Sequence, residues 1–277
     1  MRRRWPARAA TIPLVLGWAV LAAHPASAAA SPTGASAVRP GGTVQSGGTV
    51  QSGGTVQSGG TVRPGGGQNS QRTQSAATTS RNWAGYVAAG AKGTFTSASA
   101  NWTEPTGHCT GRGGTYAAFW VGLDGYSSPT VEQIGTEVDC SGFSPRYYAW
   151  YEIYPGAALN FPVTTNPVSP GDRFSGSVTS PSPGTFNLVL TDNTKHWTKS
   201  VTSSPANAER SSAEVIAEAP SCTFNGCVLP LTNFGTVSFR SATVDGQPMA
   251  ARNPTEIVMP DTSVSAMTSG GNFSVGD

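Results

Sequence analysis

Apolar and polar positions alternate in short runs along the last two thirds of the chain. The runs at 131–135, 147–154 and 186–190 each have period two, and the middle one reads Tyr-Tyr-Ala-Trp-Tyr-Glu-Ile-Tyr. Pro-Gly pairs and other turn residues separate the runs at intervals of about ten residues. This pattern predicts an all-β domain, an antiparallel β-sandwich whose strands each bury one face.

One segment does not follow this pattern. Residues 207–219 contain neither Gly nor Pro and are rich in Ala and Glu, so propensity alone predicts a helix there. Residue preferences do not decide between helix and strand for this segment.

The chain divides into three parts of different composition. Residues 1–28 join four arginines to an apolar run and end in Ala-Ser-Ala, which is typical of a secretory signal peptide. Its apolar run is too short to span a bilayer as a helix, which needs about 20 residues. We therefore expect a secreted, extracellular protein with no stable membrane association after signal removal.

Residues 29–80 carry the repeat Gly-Gly-Thr-Val-Gln-Ser, beginning at Gly41, Gly47 and Gly53. One valine per repeat buries too little surface to offset the entropy of ordering, about 1–2 kcal/mol per residue. We interpret this part as a disordered linker or pro-segment and residues 81–277 as the folded domain.

Charge narrows the range of partners. The chain has a formal net charge of +2, but four arginines lie in residues 1–28 and three in residues 29–80. Residues 81–277 therefore hold 10 basic against 15 acidic side chains, a net charge of −5. An acidic domain argues against a nucleic-acid partner.

No residue pattern indicates a cofactor or an oligomer, so we expect a monomer without a cofactor.

Four cysteines lie in the domain. An even number in an exported protein favours disulfides, and of the three pairings we favour Cys109 with Cys140 and Cys222 with Cys227, which encloses a tight turn. A zinc site would need closer ligand pairs joined to histidine, so we expect no metal.

The residues disfavour the common nucleophilic mechanisms. There is no Gly-x-Ser-x-Gly motif, only His108 and His196 could serve a triad, and Asp261-Thr262-Ser263 lacks the glycine of an aspartic-peptidase motif.

The mechanism that remains is catalysis by a carboxylate without histidine. Glu214 lies in an apolar run where burial would raise its pKa, although an outward-facing glutamate explains the same pattern. Gln133 lies in a strand-like run, where its amide offers both a donor and an acceptor.

Five motifs in order resemble the glutamic peptidases, or eqolisins. They are residues 80–85 (Ser-Arg-Asn-Trp-Ala-Gly), 119–125 (Phe-Trp-Val-Gly-Leu-Asp-Gly), 131–135 (Val-Glu-Gln-Ile-Gly), 148–155 (Tyr-Ala-Trp-Tyr-Glu-Ile-Tyr-Pro) and 212–216 (Ser-Ala-Glu-Val-Ile). Singly the motifs are weak, but together they are specific. Departures from the family pattern include Ile134 in place of Thr and Ile153 in place of Trp.

The resemblance implies a sandwich of two large bent sheets with a substrate groove on one face, and a strand around Glu214. It places the catalytic pair on Gln133 and Glu214, with an ionised Glu214 activating water and no covalent intermediate. It also implies protein or peptide substrates, an acidic working pH and insensitivity to pepstatin. Five further residues match positions near the groove and are predicted to bind substrate: Asp124, Trp120, Trp83, Glu137 and Tyr151.

Two other functions fit the aromatic-rich strands. A β-sandwich glycoside hydrolase would use two carboxylates, and a carbohydrate-binding sandwich would use the aromatic rings as platforms. Gln133 distinguishes these possibilities, because a glycosidase needs a second carboxylate in place of that amide.

Overall fold

The structure, a computed structural model, describes residues 77–111, 113–221 and 227–277. These residues form two large β-sheets, here called sheet I and sheet II. The predicted all-β sandwich is confirmed. The predicted signal peptide and nearly all of the predicted linker lie outside the described residues.

Sheet I contains eight strands in the order β1-β14-β2-β11-β4-β5-β6-β7. Their bounds are β1 Thr78–Thr79, β14 Thr255–Val258, β2 Trp83–Ala89, β11 Ser212–Glu218, β4 Gly114–Leu123, β5 Val131–Ser141, β6 Ser144–Tyr154 and β7 Leu159–Asn160. Every pairing is antiparallel except that of β1 with β14.

Sheet II follows the order β10-β9-β8-β3-β12-β16-β15, with β13 paired to β12. Its strands are β10 Trp197–Ser203, β9 Thr185–Asp192, β8 Arg173–Ser182, β3 Ser97–Thr103, β12 Thr236–Val244, β16 Phe273–Gly276, β15 Ser263–Val264 and β13 Gln247–Pro248. A single turn of 3-10 helix, Met249–Arg252, follows β13.

The main core lies between the sheets. Alternate residues of sheet I, such as Phe119, Val121 and Ile134, join Phe174 and Phe239 of sheet II in one buried apolar cluster. Residues of β4 and β11 that point the other way, such as Ala118, Trp120 and Ile216, belong to a second, smaller apolar cluster. Its other members come from sheet I and from the loops beside that sheet. The outer face of sheet I, turned away from sheet II, is therefore also buried.

The segment around Glu214 is strand β11, as the family resemblance implies, and the helix favoured by propensity is wrong. All seven residues of β11 are buried between β2 and β4 in the middle of sheet I. Pairing on both edges satisfies every backbone group of the strand, and this outweighs a propensity difference of a few tenths of a kcal/mol per residue.

The predicted bridge between Cys109 and Cys140 is present, and it links the loop after β3 to the end of β5. Cys222 lies outside the described residues, so its pairing with Cys227 stays a prediction.

Across the described ranges, no helix is long and apolar enough to cross a membrane.

Candidate active site

Gln133 and Glu214 belong to one row of register partners on the outer face of sheet I. Glu214 on β11 is opposite Gly122 on β4, and Gly122 is opposite Gln133 on β5. The row continues to Glu152 on β6 and, on the other side, to Val87 on β2. We call these five residues the Gly122 row. Residues 81 positions apart in sequence thus lie two strands apart in the sheet.

Gly122 leaves space between the two polar side chains. A Cβ atom at this position would lie 2.9 Å from Trp120 Cζ3 and 3.3 Å from Gln133 Cβ. Neighbouring strands are about 4.8 Å apart, so the Cα atoms of Glu214 and Gln133 are separated by roughly 9–10 Å. Two side chains of this length can approach a small group above Gly122 from both sides.

Glu214 is fully buried, and neither of its carboxyl oxygens has a hydrogen-bond partner among the described residues. Burial raises the pKa of this carboxyl well above its usual range, the charges of Asp124 and Glu132 add to that effect, and Ser212 acts in the opposite direction. The ionised form is a stronger base than an exposed glutamate, and the protonated form persists to higher pH.

Gln133 is also fully buried, and its side chain is held from the side opposite Glu214. Its Nε2 donates a hydrogen bond to Glu152 Oε2 over 2.6 Å. Burial raises the pKa of Glu152 to about 9, Glu218 adds to that effect, and the bond from Gln133 acts in the opposite direction. Below about pH 9 the Glu152 carboxyl beside the amide of Gln133 is thus mainly neutral.

Trp83 and Trp120, both predicted to bind substrate, lie on the same face as the Gly122 row. Their rings meet edge to face with centroids 5.0 Å apart. Glu218, two rows from Glu214 on β11, accepts hydrogen bonds from Trp120 Nε1 at 2.8 Å and from Asn82 Nδ2 at 3.0 Å. This carboxyl fixes the orientation of one indole beside the candidate pair.

Glu137, the third residue predicted to bind substrate, is buried on the outer face two rows from Gln133. Its pKa is raised well above the usual range by burial and by the adjacent Asp139. Asp139 in turn accepts a hydrogen bond from the Tyr148 hydroxyl at 2.9 Å. The position is compatible with the predicted role, but two rows separate Glu137 from the Gly122 row.

Asp124, also predicted to bind substrate, makes its hydrogen bonds with the loop before β11. It is fully buried, and its carboxylate accepts hydrogen bonds from the backbone N–H groups of Glu209, Arg210 and Ser211 at 2.7–2.8 Å. The Ser211 hydroxyl adds a fourth bond at 3.1 Å. Asp124 therefore anchors the loop that leads into β11, the strand of Glu214.

Tyr151 is not brought to this face. It is opposite Ile134, one position out of phase with the pairing of Gln133 and Glu152, and packs against the core between the sheets. Its ring stacks on Phe161 with centroids 5.4 Å apart. The period of two along β6 thus corrects the prediction, because Tyr151 and Glu152 must point to opposite faces.

Three residues of this face were not predicted as part of the site: Gly122, Glu152 and Glu218. The alternation along 147–154 groups Glu152 with Trp150, but it does not say which face also carries Gln133. That information lies in the register between β5 and β6, which sequence does not supply.

Across the described residues, no group of three or more His, Cys, Asp or Glu side chains could hold a metal ion.

Comparison with known proteins shows that the chain is similar to peptidases. The model of the peptidase A4 family matches residues 81–272. Scytalidopepsin B from Scytalidium lignicola is 31% identical over 182 residues, a match that covers 62% of this chain and 66% of that protein.

Solved structures give the same result for the fold. Scytalido-glutamic peptidase, crystallised with a transition-state analogue inhibitor, superposes with a TM-score of 0.59 at 25% identity, covering 71% of this chain and 98% of that one. Aspergilloglutamic peptidase from Aspergillus niger gives a TM-score of 0.50 at 25% identity, covering 58% of this chain and 98% of that one.

Proposed function

Because the chain belongs to the peptidase A4 family of glutamic endopeptidases, we propose that it hydrolyses peptide bonds with Gln133 and Glu214 as its catalytic pair. The observation that carries the proposal is the Gly122 row, in which a carboxyl and an amide face each other across a glycine. A general base and an oxyanion donor have to approach one reacting carbonyl from different sides, and this row supports that geometry.

In the proposed reaction the Glu214 carboxylate removes a proton from a water molecule held between it and Gln133. The water oxygen attacks the carbonyl carbon of the scissile bond, and the resulting oxyanion is stabilised by an N–H of Gln133. Protonated Glu214 then donates its proton to the leaving amine as the C–N bond breaks. No bond forms between enzyme and substrate at any step.

The raised pKa of Glu214 affects both halves of this cycle. An attacking water donates a hydrogen bond to the carboxylate, which favours the charged form that the first step requires. Once protonated, the buried carboxyl is retained as an acid until the amine leaves. The low charge and the neutral buried carboxyls of the domain suit an acidic working pH, although the fraction of ionised Glu214 falls tenfold for each pH unit below its pKa.

The substrates are proteins or peptides, as the family implies. We further propose that the protein is secreted, on the strength of the signal-like residues 1–28. A monomer is the default expectation, because no residue pattern indicates an oligomer. The glycoside hydrolase alternative is not favoured, because the residue facing Glu214 across Gly122 is an amide and not a carboxyl. A purely carbohydrate-binding role would give no function to the pairing of Gln133 with Glu214.

The decisive experiment measures cleavage of a denatured protein at about pH 3–4, with soluble glycans as a second substrate. Glu214→Gln and Gln133→Ala should each lower kcat/KM by about 100-fold or more, since each removes one catalytic group. Glu104→Gln and Gln247→Ala are matched controls outside the Gly122 row and should keep full activity. Pepstatin should have no effect.

Proteolysis that survives both substitutions would contradict the assignment of the pair. Release of sugar from glycans would contradict the peptidase proposal itself, and inhibition by pepstatin would favour an aspartic mechanism.

A further inference from the structure

The hydrogen bond between Gln133 and Glu152 has no part in the proposed reaction. Both side chains are fully buried, both residues are register partners on adjacent strands, and Gln133 Nε2 lies 2.6 Å from Glu152 Oε2. We propose that Glu152 is a positioning residue, which fixes the amide of Gln133 so that its nitrogen and oxygen ends keep their assigned roles. This inference rests on the proposed function of Gln133.

The proposal follows from the chemistry of an amide. A glutamine side chain carries one acceptor oxygen and one NH2 group with two donors, and the two ends have nearly the same shape. Rotation by 180° about the last side-chain bond exchanges them. In the proposed reaction, the nitrogen stabilises the oxyanion while the oxygen accepts from the water, so the rotated amide would place a lone pair where negative charge develops.

Glu152 opposes this rotation from the side of Gln133 that lies away from Glu214. Its Oε2 accepts an N–H of the amide, which directs Nε2 to β6 and fixes the plane of the amide group. A rotated amide would turn its oxygen to Glu152 Oε2, and a hydrogen bond could then form only if the buried carboxyl also turned to present its O–H group. The observed orientation of the amide needs no such rearrangement of a buried pair.

Position and burial make this a specific pairing. Glu152 is the last residue of the Gly122 row on this side, and it is flanked on its own strand by Trp150 and Tyr154, both of which pack in the apolar cluster of the outer face. The pKa of Glu152 is raised to about 9, so below that pH it is a neutral acid. The variant Glu152→Gln therefore keeps nearly the same shape and charge as the neutral acid, and it still offers an acceptor oxygen. The variant Glu152→Leu offers no acceptor.

The test measures kcat and KM separately for Glu152→Leu and Glu152→Gln at about pH 4 on a peptide substrate. Glu152→Leu should lower kcat by about 10- to 100-fold with little change in KM, which is the size expected for a misplaced catalytic group. Glu152→Gln should restore most of that loss. Glu104→Leu and Glu104→Gln, at a buried glutamate outside this row, control for the loss of a buried carboxyl.

A double-mutant cycle with Gln133→Ala separates positioning from general stability. If Glu152 acts through the amide, Glu152→Leu should cause no further loss of kcat once Gln133 is alanine. Independent, multiplicative losses would overturn the inference, and so would an unchanged kcat in folded Glu152→Leu. Glu152→Met, of nearly the same length, serves as a second variant if the leucine variant does not fold.

The outcomes also distinguish this inference from the proposed function. Activity that survives Gln133→Ala contradicts the catalytic pair. Activity that is lost in Gln133→Ala but retained in full by folded Glu152→Leu contradicts only the role of Glu152.

Discussion

Gln133 and Glu214 lie on strands that do not pair with each other, and each is the register partner of Gly122 on the strand between them. Their separation is therefore set by two strand spacings, roughly 9–10 Å between Cα atoms. Hydrogen bonds along both edges of β4 maintain that separation. The pair owes its geometry to the centre of a sheet, the most rigid part of such a fold, and not to a loop.

Adding a methyl group at position 122 should interfere with catalysis, because Gly122 lies between Gln133 and Glu214. In Gly122→Ala the new methyl group would lie within 3.3 Å of Gln133 Cβ and press on the Trp120 ring. We expect kcat/KM to fall about 100-fold, because the added methyl occupies the space between the two catalytic groups. Peptide hydrolysis measured on the folded variant checks this.

Gly176→Ala is the matched control. Its methyl group would meet the Trp102 ring at 2.9 Å, a similar crowding, but in the core between the sheets. Both variants should lose about 1–3 kcal/mol of unfolding free energy, whereas only Gly122→Ala should lose activity. Equal activities in the two variants would contradict a catalytic role for the space above Gly122.

Replacing Asp124 should lower both the stability of the fold and the activity. Asp124→Ala removes the acceptor of three backbone N–H groups, those of Glu209 and Arg210, which are partly buried, and that of Ser211, which is buried. We expect the free energy of unfolding to fall by about 3 kcal/mol and kcat to fall in the variant that remains folded, because this loop leads into β11. Urea unfolding and steady-state kinetics measure the two effects.

Asp192 provides the comparison for that loop. It is also fully buried, and it accepts backbone N–H bonds from Thr194 at 2.8 Å and Lys195 at 2.9 Å in a turn of sheet II. Asp192→Ala should destabilise the fold without changing kcat. A similar loss of kcat in both variants would mean that Asp124 has no specific connection to Glu214.

Stability should decrease as pH rises. Burial raises the pKa of Glu104 to about 8 and those of Glu132 and Glu152 to about 9. A carboxyl whose folded pKa exceeds its unfolded value of 4.5 stabilises the fold fully below pH 4.5. That contribution is lost as pH rises through 8–9, where the folded state must ionise a buried group. Urea unfolding from pH 4 to pH 9 should give a steadily lower midpoint.

Removal of one such carboxyl should flatten this profile. Glu104→Gln should leave stability at pH 4 nearly unchanged and raise it at pH 8 by about 1–3 kcal/mol relative to the wild type. Asp261→Asn changes an exposed carboxyl, and its profile should follow that of the wild type. A wild-type midpoint that increases between pH 4 and pH 8 would contradict the assignment of these buried groups as neutral acids.

The disulfide should contribute to stability without taking part in catalysis. Cys109 and Cys140 are 31 residues apart, and closing a loop of that length stabilises a fold by about 3–4 kcal/mol through the unfolded chain. Replacing both cysteines with alanine should lower the free energy of unfolding by that amount and leave kcat unchanged at 25 °C. Reduction of the wild type should lower the free energy of unfolding by at least this amount, because it would also open the predicted Cys222–Cys227 bridge. No shift in either case would contradict the prediction.

Local patterns were sufficient for much of the fold. The alternation along 147–154 predicted strand β6 and grouped Glu152 with Trp150, because side chains of a strand point to opposite faces in turn. The same rule left open which group faces the core. Tyr151 was assigned to the substrate from its motif, although its neighbours in space, Ile134 and Phe161, belong to the interior.

Strand β11 marks the limit of local reasoning. Its Ala and Glu residues favour a helix, and only the resemblance to a family indicated a strand. The structure accounts for this through two long-range pairings, with β2 and with β4, that bury all seven residues. Such contacts lie at least 90 residues away in sequence, so no window of neighbouring residues contains the information.

The order of residues in the chain was enough to predict the class of fold and the first disulfide, both of which the structure confirms, and to suggest the two residues proposed for catalysis. Composition, period and motif are properties of consecutive residues, which is why they can be read directly. The partners of those residues, Gly122 between them and Glu152 behind Gln133, follow instead from strand register. Register depends on the packing of the whole sheet, where a shift of one residue would turn every side chain to the opposite face.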